Sequence, residues 1–426
     1  MDRMNREKKE RLVSKDYILI IIAALGPAMT NSLFGISMAL YVPHIGASQL
    51  QAGFLVSIFA LAAFIVRPVA GILTDNFGRV KLLVGSAFAG SLFCFLFGIA
   101  GGSIPLLLAI RAAQGFGFGV HSTAAGAVSA DVVPQSRRAE GIGYFAMHLN
   151  VAQAVGPIIA LAIVSGDSAT LSDFRTLFFT GAALFFVSVI VNSCITYERK
   201  RRKAALAQGQ NEPPPDAAPV PEKSNEPFDN SALPKTILGF EYTVFAPVSV
   251  MILVTFATAS IIIFLTPLMN SVGIANPWPY FLVNVAGVLT ARMIFGKIAD
   301  KRGYDIVIIP WLVVMAVGLM GLLFVRSMAV LIALAFPIGV AQGAVVPTLN
   351  AMFFRRCSPQ RRGSASSAFF GAIDCGFAAG APILGAVADA FDFRAVFWAA
   401  TIFAVLALVL YLLIASDKRF YARHSA

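Results

Sequence analysis

The segment Gly71-Ile72-Leu73-Thr74-Asp75-Asn76-Phe77-Gly78-Arg79 returns 225 residues later as Gly296-Lys297-Ile298-Ala299-Asp300-Lys301-Arg302-Gly303-Tyr304. Two glycines and the aspartate keep their places. The same offset carries Arg67 to Arg292, Pro134 to Pro359 and Pro157 to Pro382. One offset shared by four separate landmarks marks a duplicated unit. The chain therefore divides into two halves of one design.

The stretches around these landmarks are apolar. Segments near 17–41, 49–73, 80–101, 103–130, 141–165, 174–197, 243–270, 277–299, 305–325, 328–354, 364–390 and 394–415 each approach the ~20 residues that cross ~30 Å of hydrocarbon. In lipid only helices and closed barrels satisfy the backbone, and long runs without period-two alternation select helices. Of the 426 residues 58% are apolar and 13% charged, too little polar surface to cover a water-facing globule of this size. The expected fold is an all-α integral membrane protein with twelve transmembrane helices in two pseudo-symmetric six-helix bundles.

A net charge of +11 could suggest nucleic acid, but the basic residues sit in short segments between apolar stretches. Alternate loops hold Arg3 to Lys15, Arg79 and Lys81, Arg137 and Arg138, Arg199 to Lys203, Lys297 to Arg302, Arg355 to Arg362, and Lys418 with Arg419; the others hold little beyond Arg175, Arg326 and Arg394. The positive-inside rule then places both termini in the cytoplasm of a cell-membrane protein. The expected organisation is a cytoplasmic segment 1–16, a bundle 17–197, a cytoplasmic linker 198–240, a bundle 241–415 and a tail 416–426. The linker contains Asn211-Glu212-Pro213-Pro214-Pro215-Asp216 and reads as flexible. Residues 1–16 are too polar for a signal peptide, so the first apolar stretch is expected to remain as a membrane helix. Cys94, Cys194, Cys357 and Cys375 are scattered, with no CxxC spacing.

At Gly71-x-x-x-Asp75-x-x-Gly78-Arg79-x-Lys81 the chain resembles the major facilitator superfamily, matching the signature of its loop between the second and third helices. Arg111-Ala112-Ala113-Gln114-Gly115-Phe116-Gly117 is similar to its fourth-helix pattern. Gly156-Pro157 resembles the core of the fifth-helix pattern of antiporters, with Ala152 replacing one of its glycines. The cadence most resembles drug- and metabolite-exporting proton antiporters. The resemblance implies a cytoplasmic gate in which Asp75 faces the start of the eleventh helix near Gly363-Ser364, with Arg79 and Asp131 completing a charge network.

That gate has a physical rationale. Gly71 permits close helix packing, Gly78 a sharp turn, and Asp75 can accept hydrogen bonds from exposed amides at a neighbouring helix N-terminus. Gly296, Asp300 and Gly303 are the duplicates. Charges that only mark a membrane interface are the bland alternative.

Ionisable groups inside a bilayer are functional candidates by default. Asp374 lies eleven residues beyond Gly363, ~16 Å deep at ~1.5 Å per residue, among small residues suited to tight packing. It is the leading candidate for carrying a coupled proton; a purely structural hydrogen bond is the alternative. His121 and His148 are secondary candidates, since a lone membrane histidine is more often a packing residue. Arg111 is either a cavity cation, binding an anionic substrate group or coupling to a protonatable carboxylate, or a structural tie to helix-end carbonyls. For Arg67 and Arg292, snorkelling competes with function. Asn31, Gln114, Asn150, Gln153, Gln342 and Asn350 are polar groups suited to lining a cavity. Asn31 cannot carry a proton, which shifts coupling towards Asp374.

The motifs that would mark an enzyme or an ATP-driven pump, GxxxxGK[ST], GxSxG and HExxH, are absent from the sequence, so no catalysis and no cofactor or metal is expected. The sequence reads as a secondary transporter, working by alternating access and exchanging a small organic molecule outward for protons inward. An uptake symporter or facilitator for a metabolite or organic anion stays open, as does a transporter-shaped receptor without turnover. The expected partners are a small-molecule substrate, protons and the lipid bilayer, not nucleic acid, and a monomer suffices. A reporter fused at residue 210 is expected to be active only inside the cell; activity outside would overturn the orientation.

Overall fold

The computed structural model describes residues 14–134, 137–164, 169–199, 236–237, 240–241, 244–357 and 362–416, without the side chains at 72, 75, 76, 138–140, 236, 237, 240, 241, 297, 300, 354 and 362–367. Twelve of its helices are long and apolar enough to cross a membrane. They are α1 (Lys15–His44), α2 (Gln49–Phe77), α3 (Arg79–Ile99), α4 (Ile104–Asp131), α5 (Arg138–Ile163) and α6 (Leu171–Ser193), then α7 (Phe245–Ser271), α8 (Trp278–Arg302), α9 (Asp305–Leu322), α10 (Met328–Arg356), α11 (Arg362–Ala390) and α12 (Phe393–Leu410). The last continues through a π-helical turn, Tyr411–Ala415. An even number of crossings brings both ends of the array to one face, termed the terminal face.

Local chemistry sets the ends. Ser48 and Gln51 form a capping box at the start of α2, and Thr170 and Asp173 form another at the start of α6. The second explains why α6 begins at Leu171 rather than near 174. The helix then stops at Ser193, because Thr196 leaves the ladder and its amide donates to Asp16 at 2.9 Å. A short antiparallel ladder pairs Thr236–Ile237 with Phe240–Glu241, where the expected linker meets the expected second bundle.

Packing repeats the duplication. In the first half α1 lies against α5 and α6, α3 against α4 and α6, and α2 against α4; α7 to α12 repeat each of these pairings. The α2–α4 and α8–α10 contacts rest on glycine pairs of the same spacing, set 224 rather than 225 residues apart. A Cβ at Gly115 would lie 2.4 Å from the Phe59 carbonyl oxygen and one at Gly119 2.8 Å from that of Ala63. In the second half a Cβ at Gly339 would overlap the Asn284 oxygen, and one at Gly343 would lie 2.5 Å from that of Val288. Lipid tails are as apolar as side chains, so membrane helices associate through close backbone approach of this kind.

Gly339→Ala and Gly115→Ala force two backbones apart. Each is expected to destabilise the protein by about 1–3 kcal/mol. Gly71→Ala, where the added methyl meets nothing within 4 Å among the described atoms, should leave stability unchanged. Unfolding midpoints in mixed micelles check the contrast.

Candidate functional site

The two halves meet along α2 and α11, α5 and α8, and α1 and α7. The α2–α11 seam is zipped over most of its length. At the face opposite the termini, the amides of Gln49 and Leu50 donate to the two carboxylate oxygens of Asp389 at 2.8 and 2.7 Å. An acid from one half thus caps the first turn of a helix in the other, where the orphan amides and helix dipole favour negative charge. A Cβ at Gly53 would sit 2.4 Å from the Ala381 oxygen, and one at Gly385 2.3 Å from that of Gln49. Further in, Ser57 Oγ donates to the Ala378 oxygen at 2.6 Å.

The seam ends on an ion pair. Arg67 Nε donates to Asp374 Oδ2 at 2.9 Å, and the two side chains are 19% and 14% exposed. A second guanidinium nitrogen reaches Ser122 Oγ of α4 at 3.4 Å, and the guanidinium lies 5.2 Å from the ring centroid of Phe370. Arg67 stands ten residues before the end of α2 and Asp374 twelve residues into α11, so each is ~15–18 Å from the terminal face. The arginine does not snorkel: it binds the acid of the other half at mid-depth.

Other candidates are placed differently. Arg111 is buried; its Nε donates to the Leu55 oxygen at 3.2 Å, a second nitrogen donates to Gln114 Oε1 at 2.6 Å, and Phe59 and Phe34 flank it at 4.3 and 5.3 Å. Gln114 in turn donates to Cys94 Sγ at 2.9 Å. The expectation that Arg111 and Gln114 line a cavity does not match this arrangement: aromatic faces and a mid-helix carbonyl hold the cation inside the first half. His121 is buried, with Asn192 Nδ2 at 3.2 Å from its Nε2, and the same amide donates to the Leu83 oxygen. His148 Nδ1 donates to the Phe145 oxygen at 2.6 Å, one turn back in its own helix. Both histidines have local partners suited to packing.

Asn31 and Gln342 are half-buried and Gln153 is exposed. Asn150 is buried with its Nδ2 unpartnered, and Asn350 Oδ1 and Arg292 Nε are likewise buried without a partner.

At the terminal face Arg79 pairs with Asp131. Gly78 has φ +88° and Gly303 φ +89°, a left-handed conformation that only glycine adopts without strain. The turn expected at these positions is present. Close packing at Gly71 and Gly296 is not: a Cβ at either would meet nothing within 4 Å among the described atoms. The side chains of Asp75, Asp300 and residues 362–367 lie outside the described residues, as does the expected contact between Asp75 and α11. Sequence reasoning missed Glu198, whose Oε1 accepts from the amides of Arg79 at 2.6 Å and Val80 at 3.1 Å and so caps α3. Its signal was a lone acid before the basic run Arg199–Lys203. Asp389, hidden at the end of an apolar helix, was missed as well.

Because Arg67 and Asp374 are paired, their substitutions are not additive. The double variant should cost less than the sum of Arg67→Gln and Asp374→Asn, by a coupling of about 1–2 kcal/mol after discounting for partial exposure. A double-mutant cycle on unfolding in mixed micelles measures it.

Comparison with known proteins gives the architecture its family. A Major Facilitator Superfamily profile matches residues 20–303 and 278–425. The multidrug resistance protein MdtG of Yersinia enterocolitica is 27% identical over 398 residues, covering 89% of this chain and 88% of that protein. The staphylopine export protein of Staphylococcus aureus is 20% identical over 404 residues, covering 92% and 94%. A crystal structure of a bacterial homologue of the human lysosomal transporter Spinster superposes with a TM-score of 0.72 at 15% identity, covering 94% of this chain and 96% of that one. Twelve spans, a duplicated six-helix bundle and a profile match over nearly the whole length agree: this multi-pass membrane transporter belongs to the Major Facilitator Superfamily.

Proposed function

We propose that the chain is a proton-driven exporter of a small organic molecule, working as a monomer by alternating access with the terminal face in the cytoplasm. The observation that carries the reading is the Arg67–Asp374 pair at mid-depth between the halves. A carboxylate that accepts a proton cannot keep its ion pair at full strength, so protonation of Asp374 and closure of the seam oppose one another. A proton on Asp374 would leave the guanidinium 2.9 Å away without its counter-charge.

This gives a coupling rule. With Asp374 ionised and no cargo bound, the pair helps to hold the outer end shut and the empty carrier at rest. Either a proton on Asp374 or bound cargo weakens that hold, and the halves rock about the mid-depth site. A step that leaves the pair intact keeps the outer end shut, so that end opens only with a proton on Asp374 or with cargo bound. The orientation follows from the basic loops, and the names of MdtG and of the staphylopine export protein support the export direction.

Proteoliposomes with an imposed pH gradient and a panel of ethidium, Hoechst 33342 and norfloxacin test it. The wild-type protein should concentrate at least one of these against its gradient and stop when the pH gradient is collapsed. Asp374→Asn should lose uphill transport, because an amide releases no proton, but keep exchange of cargo down its own gradient. An Asp374→Asn protein that still concentrates cargo at the wild-type rate would exclude proton coupling through this residue.

A further inference from the structure

Arg67 and Arg292 are duplicates of one another, yet among the described residues only Arg67 has an acid to bind. The pseudo-symmetry that relates the halves turns α2 into α8 and α11 into α5, and both pairs are in contact. It also turns Asp374 into Leu149, 225 residues earlier, which offers no charge. Arg292 makes no hydrogen bond or ion pair among the described residues, and its Nε is buried without a partner.

Its depth makes that isolation informative. Arg292 lies ten residues before the end of α8, about 15 Å from the terminal face. Its Nε is enclosed by protein, so the group is not extended freely to the lipid headgroups. A guanidinium also does not escape burial by losing its proton, as a lysine does. The site therefore holds a permanent cation whose counter-charge must come from elsewhere.

Two more unpartnered atoms lie on the adjoining helices. Asn150 Nδ2, a donor, is next to Leu149 on α5. Asn350 Oδ1, an acceptor, is on α10, whose Gly343 packs on Val288 one turn before Arg292. A cation, a donor and an acceptor, all unsatisfied, occur on three adjoining helices, between about 9 and 18 Å from the terminal face. Leu149 and Gln153 on α5 are exposed, so protein does not fill that side.

We propose that Arg292 receives the anionic group of the cargo, standing to it as Arg67 stands to Asp374. The transported molecule is then an organic anion or zwitterion carrying a carboxylate or a group of similar shape and charge. Two parallel N–H donors suit such a group. This rests on the chain moving a small organic molecule, but not on proton drive or on export. The duplicated scaffold thereby provides two arginines of opposite use: one binds the protein's own acid, the other the acid of the passenger.

The test is a binding measurement, independent of any gradient. Dansylglycine and its uncharged twin dansylglycinamide are titrated by fluorescence into the purified protein in phosphatidylcholine nanodiscs. The wild-type protein should bind the carboxylate about tenfold or more tightly than the amide, the range of one charge-assisted pair. Arg292→Gln should bring the two within about twofold of each other while leaving binding of the amide in place, which also reports that the protein is folded. Arg292→Met, uncharged and closer in length, replaces it if the glutamine variant does not fold. Equal binding of both probes by the wild type, or a preference that survives loss of the arginine, would overturn the proposal. So would a preference abolished by adding phosphatidylglycerol to the disc, which would make a lipid headgroup the partner.

Discussion

An ionised group in the middle of a bilayer is expensive unless something answers its charge. In this protein Asp374 is answered by Arg67, and the partner belongs to the other half of the molecule. Much of the remaining arrangement serves that meeting. The pair requires α2 and α11 to run side by side to mid-depth, and glycines at Gly53, Gly371, Gly376 and Gly385 let α11 approach its neighbours closely. Ser57 and Asp389 add polar contacts along the same seam. The polar contacts suit a joint that must part, because water can replace each of them when the seam opens.

The duplication and its breakage have different meanings. Helix pairings and glycine contacts recur in both halves because each half must pack a six-helix bundle by the same rules. Asp374 and Asp389 have no counterparts, since their positions in the first half are Leu149 and Val164. A feature that the scaffold needs is present twice. Asp374 and Asp389, each present once, both belong to the joint between the halves.

Much of the fold was legible in the sequence, because length, hydropathy and a fixed offset depend only on the chain. The twelve spans and the turns at Gly78 and Gly303 needed no partner to be recognised. The site was only partly legible. Asp374 stood out by its depth, but its attachment to Arg67, 307 residues away, is a tertiary fact that no spacing reveals. Arg111 looked like a cavity cation because an arginine in lipid demands explanation; the explanation was Phe34, Phe59 and the Leu55 carbonyl, which sequence does not bring together. Glu198 was obscured because a helix cap supplied 119 residues away leaves no local pattern.

The central claim is that a proton on Asp374 and closure of the α2–α11 seam oppose each other. Pulsed electron spin distances between nitroxides at Gly102→Cys and Phe391→Cys, both exposed positions at the face opposite the termini, report on that seam directly. Cys194 and Cys375 are replaced by alanine to keep the labelling specific. At alkaline pH the account predicts a short distance in the wild-type background, with a longer population growing on acidification. The Asp374→Asn background should show the longer population at every pH. The same distribution at all pH values and in both backgrounds would contradict the account.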